Sequence, residues 1–183
     1  VEEAKERPQD QLLIGLSLKE EEFTDPEEQR LPTKWDLDEA CPDHPVFLLR
    51  YDGHIGVANS KALKLAGISN DTPSPAGGEI RKNEEGELTG QLSELAASSM
   101  LSLVSMPDPA QINEAVKEGF GILASKGLTA LHGVVQAEAG AEMGEAGAFE
   151  LPIFKNILDQ IPQNWYSLIF THNTKKIKRI KKP

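Results

Sequence analysis

The sequence holds a single cysteine, Cys41, among 183 residues. One thiol cannot close an internal disulfide, so the chain reads as one suited to a reducing compartment, the cytoplasm. Cys41 stands before Pro42 with no base beside it in the chain, which marks a structural or incidental thiol rather than a nucleophile. No apolar run approaches the roughly 20 residues of a membrane span. The opening residues, Val1-Glu2-Glu3-Ala4-Lys5-Glu6-Arg7, make no signal peptide, and no initiator Met precedes them. Such a beginning is expected of a chain that is processed, tagged or excised from something longer. His-x-His, His-Glu-x-x-His, Cys-x-x-Cys and the phosphate-cradling Gly-x-x-x-x-Gly-Lys are all missing. The scattered glycines of residues 140–147 form no dinucleotide fingerprint. Length is short too. The chain accommodates one domain or two small ones, whereas a complete (β/α)₈ barrel needs about 250 residues.

Charge is plentiful but uneven. The net charge is −10, yet the last ten residues hold Lys175, Lys176, Lys178, Arg179, Lys181 and Lys182 and no acid. The other 173 residues carry 13 cations against 29 acids, a net −16. An acidic body repels phosphates and anionic lipid, so neither nucleic acid nor a membrane is expected as a partner. The basic tail reads as a solvated helix end or a frayed terminus.

Residues 1–34 are charged and broken by Pro8, Pro26 and Pro32, with one strand-like patch at Leu12-Leu13-Ile14-Gly15-Leu16. A short helix capped near Thr33 is expected through Trp35, Leu37 and Ala40, closed by Pro42 and Pro45. Val46-Phe47-Leu48-Leu49 has strand length and turn signals on both sides. Asn59-Ser60 predicts an N-cap for a helix through Leu65, ended by Gly67. Residues 78–90 read as a hairpin, and a helix is expected from about Gln91 to Leu103. Asp108-Pro109 fits an N-cap followed by proline at the first helical position. Ile112, Ala115, Val116, Phe120, Ile122 and Leu123 then follow helical spacing. Leu128–Val135 is strand-like, Pro152–Ile161 amphipathic helix, and Trp165–Phe170 strand again. Alternation of that kind implies parallel strands with crossover helices. The expected class is α/β, a mixed α+β domain over 1–107 followed by a partial parallel β/α unit over 108–183.

Asp52-Gly53-His54 joins a carboxylate, a hinge and an imidazole at the exit of an apolar strand. Asp and His two apart in extended chain share a side and can share a metal, a substrate or a proton. Asp-Gly is equally a turn pair that His54 merely caps. His132 ends a strand-like run, where an imidazole serves a metal site or a general base, or sits half-buried as a structural residue. Glu94 reads as one acid in an otherwise apolar helix face, or as an ordinary exposed helical glutamate. His44 and His172 receive no role. These residues by themselves amount to an α/β chain without a complete catalytic set.

A family resemblance runs through the order of the blocks. Leu31-Pro32-Thr33-Lys34-Trp35-Asp36-Leu37-Asp38, Asp43-His44-Pro45-Val46-Phe47-Leu48, Arg50-Tyr51-Asp52-Gly53-His54 and Ala58-Asn59-Ser60-Lys61-Ala62-Leu63 resemble the central part of amidohydrolase family 3. The likeness continues through Leu65-Ala66-Gly67-Ile68, Asp71-Thr72-Pro73, Gly77-Gly78-Glu79-Ile80 and Gly86-Glu87-Leu88-Thr89-Gly90. Gly127-Leu128-Thr129-Ala130-Leu131-His132 resembles a later strand of the family, although Gly133 stands here where the family carries an acid–histidine continuation.

The resemblance implies a metal-dependent hydrolase of amide or other C–N bonds. The family's fold would be a (β/α)₈ barrel with a β-sandwich and an α/β insertion, and its metal, usually zinc, activates water. The amino-terminal His-x-His pair is absent. The chain therefore resembles the substrate-covering insertion domain plus the next barrel elements, and by itself is expected to bind no zinc and to be inactive. Carried over, Asp52 and His54 are the catalytic candidates. Asn59 and Tyr51 are substrate-binding candidates, and Glu94 and His132 are metal candidates. The implied substrate is a small amide, with association between copies through exposed barrel elements. Two rival readings stand beside this one: a non-catalytic binding or interaction module, and one half of a hydrolase completed by a second chain.

Overall fold

The computed structural model describes residues 3–104, 108–136 and 156–170. The chain divides into two units, residues 1–104 and 105–183.

The first unit is organised by β2, Val46–Arg50, whose alternate side chains are covered on both faces. On one side β2 pairs in parallel with β1, Leu13–Leu18, matching Leu13 with Val46. On the other it pairs antiparallel with β3, Ile55–Ala58, matching Phe47 with Ala58. β5, Leu88–Glu94, follows β3, and β4, Gly78–Lys82, closes the sheet, so the order is β1-β2-β3-β5-β4. A hairpin joins β4 to β5, as the Asn83–Gly86 turn residues predict.

Period-2 alternation sorts the apolar side chains into two cores. Phe47, Ala58, Ile80, Leu88 and Leu92 meet two short helices on one face. These are α2, Ser60–Leu65, contributing Ala62 and Leu63, and α3, Leu95–Leu101, contributing Ala96, Ala97 and Met100. Val46 and Val57 point the other way, onto Leu37 of α1, Lys34–Ala40. Phe47 and Leu92 lose all their exposure, worth about 1.5–3 kcal/mol each relative to exposed side chains. Helix capping follows the sequence signals. Thr33 precedes α1, and the Asn59 side chain accepts the Ala62 amide at the start of α2.

Two expectations fail here. The helix expected from Gln91 begins only at Leu95, because residues 91–93 are taken by the ladder to β3. Leu88, Gly90 and Leu92 are buried while their neighbours are not, a strand period rather than a helical one. Glu94 is therefore the last residue of a strand and not part of a helix face. The second failure is β3, which the sequence reading passed over. Ile55-Gly56-Val57-Ala58 is only four residues long and is stabilised by a strand on each side rather than by its own pattern.

In the second unit α4, Pro109–Ser125, starts as expected, with the Asp108 side chain accepting the Ala110 amide. β6, Ala130–Gln136, and β7, Asn164–Phe170, pair in parallel from Ala130–Asn164 to Gln136–Phe170. Phe120 of α4 packs edge-on against Trp165, ring centroids 5.6 Å apart, and the Gln163 amide donates to the Phe120 carbonyl at 2.7 Å. Of the helix expected over Pro152–Ile161, residues 152–155 lie outside the described residues, and Leu158–Gln160 is a 3₁₀ turn. The Gly-rich stretch 140–147 and the basic tail lie outside them too. Among the described residues no helix is long and apolar enough to cross a membrane.

Candidate functional site

The turn between β2 and β3 is where the chemistry gathers. The Gly53 amide donates to the Arg50 carbonyl at 2.9 Å, so Tyr51, Asp52 and Gly53 form a tight reversal. Asp52 completes it by accepting the His54 amide at 3.0 Å, which is the turn role that Asp-Gly sequences predict. The other Asp52 oxygen is held by Arg50 Nη1 at 2.5 Å. Arg50 also donates Nε to both carboxylate oxygens of Glu20, at 2.8 and 3.1 Å, and its Nη2 lies 3.8 Å from Glu21. The guanidinium thus ties the segment after β1 to the turn after β2. The His54 amide first, then Arg50, hold the Asp52 carboxyl below its ordinary range, and Asp52 and Glu20 raise Arg50 in return.

His54 carries the imidazole out to solvent at the start of β3. Its Nδ1 donates to Glu94 Oε2 at 3.0 Å, across forty positions of sequence. The adjacency is built by the sheet. Ile55 pairs with Ser93, and the Glu94 amide donates to the His54 carbonyl at 2.7 Å. The carboxylate of Glu94, with Asp52 adding its charge, raises the His54 pKa above the ordinary value. The ring stays 65% exposed and the carboxylate 55%, so the pair sits at an open surface. The Tyr51 ring is exposed, with the Arg50 guanidinium 4.9 Å and the Lys19 ammonium 5.9 Å from its centroid. A cavity of about 390 Å³ lies elsewhere, between the N-terminal segment, α1 and β1–β2, lined by Leu13, Leu37, Cys41 and Leu48.

The structure brings together Asp52, His54 and Glu94, while the Tyr51 ring, in the same turn, meets Arg50 and Lys19 instead. Nor does the structure bring Asn59 to that cluster. Asn59 is fully buried, and its amide donates to the carbonyls of His44 at 2.8 Å and Cys41 at 3.4 Å. Its oxygen accepts from Val46 and Ala62. All of this binding capacity goes to backbone. His132 belongs to the second unit, on β6, where its ring stacks on Tyr166 at 5.0 Å. Sequence reasoning gave Arg50 and Glu20 no role. Arg50 had a signal, since it lies two residues before Asp52 and so on the same side of an extended strand. Glu20 had none, being thirty positions away.

A metal does not fit these donors. Tetrahedral zinc needs about four ligands, three of them from protein at a catalytic site. Among the described residues no three His, Cys, Asp or Glu side chains gather so as to hold a metal ion. Asp52 is engaged by Arg50 and by its own turn, and Glu94 by His54.

The first unit is a mixed sheet flanked by helices, with a histidine–carboxylate pair where β3 begins and β5 ends, and comparison with known proteins identifies the family. The model of the amidohydrolase family matches residues 1–176, and the chain belongs to that family. It is 40% identical over 133 residues to "Putative amidohydrolase YtcJ" of Bacillus subtilis (strain 168), covering 70% of this chain and 25% of that protein. It is 48% identical over 84 residues to the N-substituted formamide deformylase of Arthrobacter pascens, covering 46% of this chain and 15% of that one. The fold is similar to that of an uncharacterized metal-dependent hydrolase from Pyrococcus horikoshii OT3, with TM-score 0.52 and 18% identity, over 92% of this chain and 30% of that one. The chain thus spans a quarter or less of the length of these two curated relatives.

Proposed function

We propose that this chain is part of a metal-dependent hydrolase of small-molecule amides and that His54 is its contribution to the active-site mouth. Residues 1–107 act as an insertion-type domain covering the substrate, and 108–183 as the first β/α elements of a barrel. Zinc is the expected metal, held by residues other than the His54–Glu94 pair. The enzyme works in the cytoplasm, where Cys41 stays a free thiol. The substrate class is an N-substituted amide, the class named in the Arthrobacter relative.

The observation that carries this reading is the His54–Glu94 contact at 3.0 Å in a chain whose family match runs from residue 1 to 176. The ring is held through one nitrogen, and among the described residues no hydrogen bond engages the other. That suits it to exchange a hydrogen bond or a proton with a substrate placed over the turn. Asp52, held by Arg50 and by the His54 amide, braces the turn that presents the ring.

Purified chain, supplied with zinc and an N-substituted formamide, is expected to hold less than one zinc per chain and to show no turnover. Mixed with a separately expressed chain that carries a His-x-His segment, it is expected to gain turnover that His54→Ala lowers at least tenfold. Stoichiometric zinc with turnover by the chain alone overturns the reading, and so does restored turnover that His54→Ala leaves unchanged.

A further inference from the structure

Glu94 has φ 51° and ψ −120°, a backbone conformation that glycine adopts freely and L side chains rarely do. Among the described non-glycine residues only Ser17 shares a positive φ. Three contacts impose it. The Glu94 amide donates to the His54 carbonyl at 2.7 Å, and the Leu95 amide to the Gly77 carbonyl at 3.4 Å. The turn is also pressed onto Gly78, where a Cβ would stand 2.6 Å from the Ala96 nitrogen and 2.9 Å from the Ser93 oxygen. This compression passes the chain from β5 to α3 with no loop residue between them. Glycine at 94 would make the same turn without steric cost.

The glutamate side chain gains nothing from burial in exchange, since it is more than half exposed. What it does is accept the hydrogen bond of His54 Nδ1–H. An ionised carboxylate only accepts, so a neutral His54 ring in this pair carries its hydrogen on Nδ1 and its lone pair on Nε2. No hydrogen bond among the described residues engages Nε2. Strained non-glycine residues persist where the surroundings over-determine them, and they concentrate at functional sites.

We propose that Glu94 is a positioning residue, kept in a glycine conformation so that its carboxylate holds His54 as the Nδ1–H tautomer with Nε2 free as an acceptor. A ring set this way receives an N–H, which a secondary, N-monosubstituted amide has and a tertiary amide lacks. That the donor is an amide rests on the amidohydrolase reading above; the ring's tautomer does not.

The test uses the full chain and the Glu94→Gly and Glu94→Ala variants. Imidazole ¹⁵N shifts of His54 are read at alkaline pH, where the ring is neutral, and thermal melting is followed in parallel. The unaltered chain is expected to show Nδ1–H in roughly tenfold excess, the ratio a charge-assisted hydrogen bond sustains. Both variants should lose that excess. Glu94→Gly should melt above Glu94→Ala, since both lack the carboxylate and only glycine relieves the backbone. Retention of the Nδ1–H excess in Glu94→Gly overturns the proposal, as does a Glu94→Gly melting point at or below that of Glu94→Ala. The readouts need no turnover. If restored hydrolysis fails while the tautomer behaves as expected, the amidohydrolase reading falls and the role of Glu94 stands; the reverse outcome separates them the other way.

Discussion

The side-chain oxygen of Asn59 accepts the Val46 amide at 2.9 Å, thirteen positions back, while also accepting the Ala62 amide at 2.9 Å. One buried amide thereby ties the start of β2 to the first turn of α2, and its nitrogen ties both to the loop carbonyl of His44. Asn59→Ala leaves those backbone groups without partners in a dry site, at a cost of roughly 1–3 kcal/mol for each buried group left unpaired. A loss of about 3 kcal/mol in unfolding free energy is expected from urea titration. Asn59→Asp should also destabilise, because a carboxylate cannot donate to the His44 and Cys41 carbonyls. A small effect of both substitutions would mean that Asn59 is spared for a ligand.

Local signals were legible where one residue type meets one backbone need. Thr33, Asn59 and Asp108 each stood at a predicted helix start and each is found there. The parallel pairing of β6 and β7 followed from helix–strand alternation. What could not be read was whatever depends on partners distant in sequence. Ile55–Ala58 is a strand because β2 and β5 flank it, and Gln91–Ser93 is strand rather than helix because β3 claims its amides. The site divided the same way. Asp52 and His54 were visible as neighbours, whereas Glu94 reaches His54 only through the β3–β5 register, and Glu20 reaches Arg50 through the β1–β2 pair.

The raised pKa of His54 has a pH consequence. Glu94 favours the protonated ring, so the folded-state value lies above the ordinary 6.5. A group whose pKa is raised by folding contributes stability that is complete below its unfolded value and is lost as pH rises through the folded one. The melting temperature of the unaltered chain should therefore fall, relative to Glu94→Ala, as pH rises from the ordinary value of 6.5 through the raised folded-state one. An NMR titration of His54 should give a lower midpoint in Glu94→Ala. Coincident midpoints would dismiss the pair as a contact without consequence in solution.

Asp36 gives the opposite sign. The Arg30 guanidinium donates to both of its oxygens, at 2.9 and 2.7 Å, and the Thr33 amide and hydroxyl donate to Oδ2 at 2.7 Å each. Arg30 first, and then Thr33, hold the Asp36 carboxyl far below the usual carboxylate range despite partial burial. That stability is present above the ordinary value near 3.8 and disappears as pH falls through the folded one. The Arg30 side chain is 55% exposed, so water screens much of the pair and the cap contributes the larger share. Asp36→Asn should cost about 1 kcal/mol at pH 7, typical of a lost cap. The difference should shrink below pH ~4, where the unaltered carboxyl begins to protonate in the unfolded chain. Urea midpoints at the two pH values measure it.

Gly90 and Gly86 share a backbone conformation but not a neighbourhood, and the contrast separates strain from contact. Their φ values are +85° and +81°. Nothing lies within 4 Å of where a Cβ on Gly86 would be, at the hairpin tip. A Cβ on Gly90 would meet the Ala58 carbonyl oxygen at 2.3 Å and the Lys34 nitrogen at 3.0 Å, where β5 passes β3 beneath the start of α1. Gly86→Ala therefore carries only the penalty of an L residue in the left-handed region, roughly 1–2 kcal/mol. Gly90→Ala carries that penalty plus an overlap with backbone that cannot rotate away, adding about 1–3 kcal/mol as overpacking does. Denaturant titration is expected to rank Gly90→Ala at least 1 kcal/mol below Gly86→Ala, about the low end of that overpacking cost. Because the Ala58 carbonyl belongs to the strand that begins after His54, Gly90→Ala should also shift the His54 ring resonances, while Gly86→Ala leaves them in place. Equal losses in the two variants would show that β5 can move off β3 without cost, and the register that brings Glu94 to His54 would then be looser than the hydrogen bonds between these strands imply.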